Sequence, residues 1–349
     1  MFFPNAGVDV NPFLLLLLGL ITGVLGGFFG IGGGFLITGG LLVFGLSPIF
    51  AVGTSLALVL GSSVVSMLRH RRAGNLDFKL GLLLVTGTVP ALLVAQWLAV
   101  RLEESGSAGP VIRYAYVVFL AALGVFIIHD SWRNRHRVKA GEDTVSTAAL
   151  IRRVQALRIP PHSIKVPGVG TVRTYVALPK SGIESVSVFV PMGMGVLVGF
   201  MAGLLGAGGG FIVVPALIFL MGVPTEVAIS VSLFQTTIAA SMGTFLYSLS
   251  NHVDLLMAVI MLTAASIGSR LGVAAIRVVI PSRVRLLYGL TLLGGALAVG
   301  LKQVSSADPG LGYLASIAAV VLLSASGAIC VLLVALVFLA MRKRLGPAP

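Results

Sequence analysis

The sequence predicts an all-α polytopic membrane protein built from two structural repeats, and three observations carry that reading. Of the 349 residues, 57% are hydrophobic and only 10% are charged, against about 25% charged in a soluble domain; mean hydropathy is +1.06. Several apolar runs reach the ~20 residues that cross the hydrocarbon core of a bilayer. A glycine-rich interruption, "FGIGGGF" at Phe29–Phe35, returns as "LGAGGGF" at Leu205–Phe211, 176 residues later.

Taken in order, residues 12–46 form a long apolar stretch broken by the first glycine cluster, and residues 188–223 form its counterpart around the second. Single spans are expected near 49–68, 78–100, 111–130, 226–249, 254–276, 284–303 and 312–340. This divides the chain into a first membrane repeat (1–130), a polar insertion (131–187), a second repeat (188–304) and a C-terminal helix with a basic tail (305–349). The insertion is too hydrophilic to span. Its "HSIKV" and "TVRTYVAL" patches fit either a small hairpin or a headgroup-level segment. The N-terminus lacks the basic region of a cleavable signal, since Asp9 is the only charge before Phe13.

The halves match beyond the glycines. "GTSLAL" (Gly53–Leu58) answers "SVSLFQ" (Ser230–Gln235), and Asp77 answers Asp254, both at an offset of 177. Such repeats are either parallel or inverted in transport folds. Charge favours the inverted kind. The insertion holds ten of the 24 basic residues against three acids, which places it in the cytoplasm with the "RHRR" loop at Arg69–Arg72. With the second half inverted, Arg277, Arg283, Arg285 and the terminal Arg342–Arg344 also lie inside, leaving Arg101, Arg113 and Lys302 outside. Each glycine-broken stretch then begins and ends on one side, with the N-terminus outside and the C-terminus inside.

A glycine costs a helix roughly 1 kcal/mol relative to alanine, and broken backbone in hydrocarbon survives only inside protein or beside a cavity. Clustered, duplicated breaks therefore point to a ligand path, where helix N-termini favour an anion. Nearby hydroxyls and amides suit an oxyanion without a fixed charge: Thr54, Ser55, Ser62 and Ser63, then Ser230, Ser232, Gln235, Thr236 and Thr237. The competing reading is helix packing, for which Gly19, Gly23 and Gly27 have the spacing. The sequence argues against a soluble phosphate loop or dinucleotide fingerprint, because neither cluster is followed by Lys and Ser/Thr or sits in a strand–helix unit with a downstream acid. Thr225 is expected to cap a helix with Glu226 in its first turn, and Arg270 to snorkel. The five scattered histidines and lone Cys330 offer no metal site, and no cofactor motif is present. The net charge of +13 lies in loops without interleaved base-stacking aromatics, which argues against nucleic acid as a partner.

The paired "GLITGVLGGFFGIGGGFLI" and "GVLVGFMAGLLGAGGGFIVVPALIFLMGVP", with the "TSL", "VSLFQ" and "ASIGSRLG" segments, resemble the TauE/SafE family of sulfite and organosulfonate exporters. The resemblance implies a membrane transporter, with no enzymatic activity, whose partners are a small sulfur-containing anion, the lipid bilayer and a coupling ion of unspecified identity. It implies substrate-binding positions at Gly30, Gly32, Gly33, Gly34, Thr54 and Ser55, and at Gly206, Gly208, Gly209, Gly210, Ser232 and Gln235. Two departures stand out. The first half has Thr38-Gly39-Gly40 where the second has Val214-Pro215-Ala216, and it reads "SLAL" for "SLFQ", so the two half-sites are not expected to contact substrate equally. A passive anion channel and a sensor or assembly protein acting through the insertion remain alternatives at this stage.

Overall fold

The computed structural model describes residues 1–29, 33–71, 75–139, 151–155, 163–166, 170–276 and 281–345. The first half comprises α1 (Pro12–Phe29), α2 (Gly34–Val43), α3 (Pro48–Arg71), α4 (Phe78–Glu104) and α5 (Ala108–Lys139). The second comprises α6 (Phe189–Leu205), α7 (Gly210–Ala216), α8 (Thr225–Leu249), α9 (Leu255–Ile276) and α10 (Pro281–Ala307), followed by α11 (Tyr313–Leu345). Among the described residues, seven helices are long and apolar enough to cross a membrane. Large apolar side chains such as Leu82, Val118, Leu255 and Val331 point away from the protein, as lipid-facing surfaces require.

The two broken stretches are hairpins. A Cβ on Gly40 of α2 would strike the Leu18 side chain of α1, and one on Gly33 would lie 2.5 Å from Thr22 O; α2 therefore runs back along α1. In the second hairpin a Cβ on Gly209 would meet Val198 of α6. Pro215 lies inside α7 and leads into a π-helical turn, Leu217–Met221, closed by Gly222 at φ 74°. Proline removes one backbone donor, and the wider turn absorbs the mismatch before the chain leaves the hairpin.

The halves pack by exchanging equivalent contacts. Gly19, Gly23 and Gly27 of α1 lie against the backbone of Met261, Ala265 and Ser269 of α9. At the repeat offsets, Gly195 and Gly199 of α6 lie against Leu84 and Thr88 of α4, and Gly203 against Leu92 and Ala95. Without side chains, the backbones approach to the distance that small-residue packing permits. α3 and α8 meet between these two pairs, and α5 packs along α10.

Contacts at the helix ends separate two faces. At one, α3 begins beside the 250–254 turn: Gly53 abuts His252 O, the Asp254 amide donates to Thr54 Oγ1 at 3.0 Å, and Gln96 near the end of α4 bonds Ser250. The first hairpin ends there, four residues before α3. At the other face, Asn75 after α3 donates to Glu226 Oε2 at 2.7 Å, and Gln155 donates to Met221 O at 3.0 Å. The second hairpin ends there.

The insertion contains the hairpin form of the two sequence alternatives. Its strands β3 (Ser163–Val166) and β4 (Gly170–Arg173) pair antiparallel, as do β5 (Tyr175–Leu178) and β6 (Ile183–Ser187); β1 (Phe2–Phe3) and β2 (Val8–Asp9) at the N-terminus also form a small hairpin. The "TVRTYVAL" patch is thus divided between two hairpins. Helix α5 also continues to Lys139, beyond the expected boundary near 130. One local expectation is corrected: Pro224 is the N-cap of α8, and Thr225 is its first helical residue with no side-chain cap. The fixed φ of Pro224, −55°, already sets the chain for helix entry.

Candidate functional site

The two breaks meet halfway along the spans. A Cβ on Gly34 would lie 2.7 Å from both Ala207 O of the opposite break and Val59 at the centre of α3. A Cβ on Gly208 would lie 2.6 Å from Val59 and 3.0 Å from Thr236 at the centre of α8. Gly206 abuts Val52 and Thr38 Oγ1, while Phe35 and Phe211 pack with ring centroids 5.8 Å apart. Gly33, Gly206, Gly208 and Gly209 have φ of 72°, 70°, 66° and 83°, a left-handed conformation open to glycine at little cost. Neither α2 nor α7 has a side-chain cap at its N-terminus.

Around this meeting point the polar groups are buried hydroxyls and one amide. Thr38 donates to Ser55 Oγ at 2.8 Å, and Ser55 in turn donates to Ala51 O. Ser232 donates to Gly210 O at 3.3 Å, and Gln235 Nε2 donates to Thr88 Oγ1 at 3.3 Å. The Thr236 hydroxyl donates to Gln235 Oε1, and Thr237 donates to Ser63 across the α3–α8 contact. The structure therefore gathers Gly33, Gly34, Ser55, Gly206, Gly208, Gly209, Gly210, Ser232 and Gln235 around the breaks. Thr54 lies apart, at the face bearing the 250–254 turn, where its hydroxyl receives the Asp254 amide. Gly30 and Gly32 lie outside the described residues.

A crevice leads from this centre toward the face carrying the insertion. It is lined by Thr22 and Gly26 of α1, Ser62 and Ser66 of α3, and Ser269 of α9. Its interior admits little more than one water. The same place in the other half holds Val198, Ala202, Ala239, Gly243 and Leu92; Gln235 there replaces Leu58. The hydroxyls that line this crevice therefore have no hydroxyl counterparts at the equivalent positions of the other half. Ser66 and Thr88 escape a reading by motif because their spacing is ordinary, whereas Thr22 and Ser269 lie within the quoted family segments without standing out from them. Thr22 does stand within the Gly19–Gly23–Gly27 stripe, which was the available signal.

A helical membrane protein whose backbone is interrupted at mid-span, inside protein, has the construction of a membrane transporter. The chain belongs to the TauE/SafE family: the family model described as "Sulfite exporter TauE/SafE" matches residues 15–299. It is 26% identical over 269 residues to the "Probable membrane transporter protein YunE" of Bacillus subtilis, covering 75% of this chain and 87% of that protein. It is 25% identical over 294 residues to a similarly described protein of Methanocaldococcus jannaschii, MJ0441, covering 80% and 91%. A third such protein, from Xylella fastidiosa, is 33% identical over 107 residues, covering 30% and 41%. No solved structure matches the chain. The protein is a membrane transporter.

Proposed function

We propose that the protein is a secondary exporter of small sulfur oxyanions, such as sulfite or organosulfonates, with two inverted repeats that expose a mid-span site to alternate sides. The observation that carries this reading is the meeting of two broken hairpins at the centre of α3 and α8, with a crevice on one side of it. The inverted arrangement draws support from the hairpin ends, one beside the 250–254 turn and the other beside Asn75 and the 151–155 segment. The substrate site comprises the glycine breaks with Ser55, Ser232 and Gln235; Thr54, Gly30 and Gly32 remain in the proposed set on family resemblance. Ser62, Ser66, Thr22 and Ser269 form the cytoplasmic half-path. Neutral donors suit an anion that must leave as readily as it enters, because a buried fixed cation would hold it.

The chemistry at the site is rearrangement of hydrogen bonds. Hydroxyls now bonded to helix carbonyls, such as Thr22 to Leu18 O, can rotate to donate to an oxyanion. Counterflow in proteoliposomes tests the proposal: unlabelled sulfite inside should drive transient accumulation of labelled sulfite from outside. Gln235→Leu should weaken half-saturation about fivefold, the loss of one hydrogen bond of about 1 kcal/mol. Flux without counterflow would instead establish a channel, and absence of flux with every sulfur oxyanion would refute the assignment.

A further inference from the structure

Away from the mid-span centre, two cations come together where α5 meets α10. Arg113 is in the second turn of α5 and Lys302 near the end of α10, each half-buried. Arg113 Nη1 donates to Gln303 Oε1 at 3.3 Å, but its buried Nε has no hydrogen-bond partner. Lys302 directly precedes Gln303, so the bond to Gln303 brings the guanidinium to the same turn of α10 that carries the ammonium. Among the described residues neither meets a carboxylate at ion-pair distance. Two like charges partly withdrawn from water repel, and each loses solvation. An oxyanion between them would relieve both costs, because the Nε edge of a guanidinium presents parallel donors to two oxygens.

We propose that Arg113 and Lys302 form an anion-binding site at the end of the α5–α10 pair, on the face away from the insertion, with Gln303 orienting the guanidinium. The ligand is a phosphate- or sulfate-type oxyanion, supplied either by a lipid headgroup or by free solution. The site differs from the mid-span centre in chemistry: fixed positive charge replaces neutral hydroxyls, so it retains an anion where the centre passes one.

The test uses the full-length protein and two probes. Native mass spectrometry after detergent exchange counts retained phosphatidylglycerol; thermal unfolding in phosphatidylcholine nanodiscs compares sodium sulfate with sodium chloride at equal ionic strength. The variants are Lys302→Gln, which leaves the Arg113–Gln303 bond intact, and the double change Arg113→Gln with Lys302→Gln. Retention of phosphatidylglycerol by the wild type that falls at least about fivefold in both variants establishes a lipid headgroup site. Sulfate-specific stabilisation that disappears in both variants establishes a free-anion site. Wild type and Lys302→Gln behaving alike in both measurements overturns the proposal, even if the double variant fails to fold.

Discussion

At the residue scale, a glycine here is defined by what its missing Cβ would touch. Gly193 and Gly195 are two positions apart on α6, yet a Cβ on Gly193 would meet nothing within 4 Å, whereas one on Gly195 would strike Leu84 O of α4. Gly195→Ala should therefore lower the thermal unfolding midpoint, by the roughly 1–3 kcal/mol of an overpacked contact. Gly193→Ala should be neutral or stabilising by up to about 1 kcal/mol through helix propensity. Equal midpoints for the two variants would contradict the packing described. A second prediction concerns His252, whose Nδ1 is buried without a hydrogen-bond partner. Burial pushes its pKa below the ordinary 6.5, with Glu103 opposing. A folded-state pKa below the unfolded value means that neutral imidazole favours folding, so this contribution is present above pH 6.5 and lost as pH falls through the folded value. Unfolding midpoints should drop on acidification, and His252→Gln should flatten that part of the profile. Side-chain roles were the least legible part of the sequence. Thr54 and Ser55 are adjacent in one motif, but the roughly 100° between consecutive helix positions sends one to the Asp254 amide and the other to Thr38.

At the element scale, equivalent helices in the two halves carry different attachments. Asp77 and Asp254 open α4 and α9, and each accepts from first-turn amides. Asp77 also receives Ser181 of the insertion at 2.7 Å, while Lys180 reaches Leu76 O. Asp77→Ala should cost about 1 kcal/mol as a lost cap and also free one attachment of the insertion, so limited proteolysis within residues 163–187 should accelerate. Asp254→Ala should cost a similar cap without changing that cleavage. Acceleration in both, or in neither, would mean that the Ser181 contact does not hold the insertion. The long spans were legible because hydrophobic length is a local property, and the breaks because clustered glycine is rare inside a span. The divided strand patch and the extension of α5 were not, since both depend on pairing partners and on where the helix meets the polar insertion.

At the scale of the whole molecule, the repeat offset foreshadowed the exchanged contacts between α1 and α9 and between α4 and α6, but it could not tell which hydroxyls would face a crevice. That depends on how three helices from two halves come together, which no single segment records. The orientation is the remaining global property, and it yields a decisive measurement. With buried Cys330 replaced by Ala, single cysteines at exposed Asn5, Ser306, Ser185 and Thr225 can be labelled by an impermeant thiol reagent in sealed vesicles of known sidedness. Inverted repeats require Asn5, before the first hairpin, and Thr225, after the second, to react from opposite sides. Asn5 and Ser306 should react from outside, Ser185 and Thr225 from inside. Parallel repeats would put both hairpins on one side, so labelling of Asn5 and Thr225 by the same exposure would end the inverted reading. It would also remove the physical basis for alternate exposure, because two hairpins entering from one side cannot build half-paths that lead to opposite sides of the membrane.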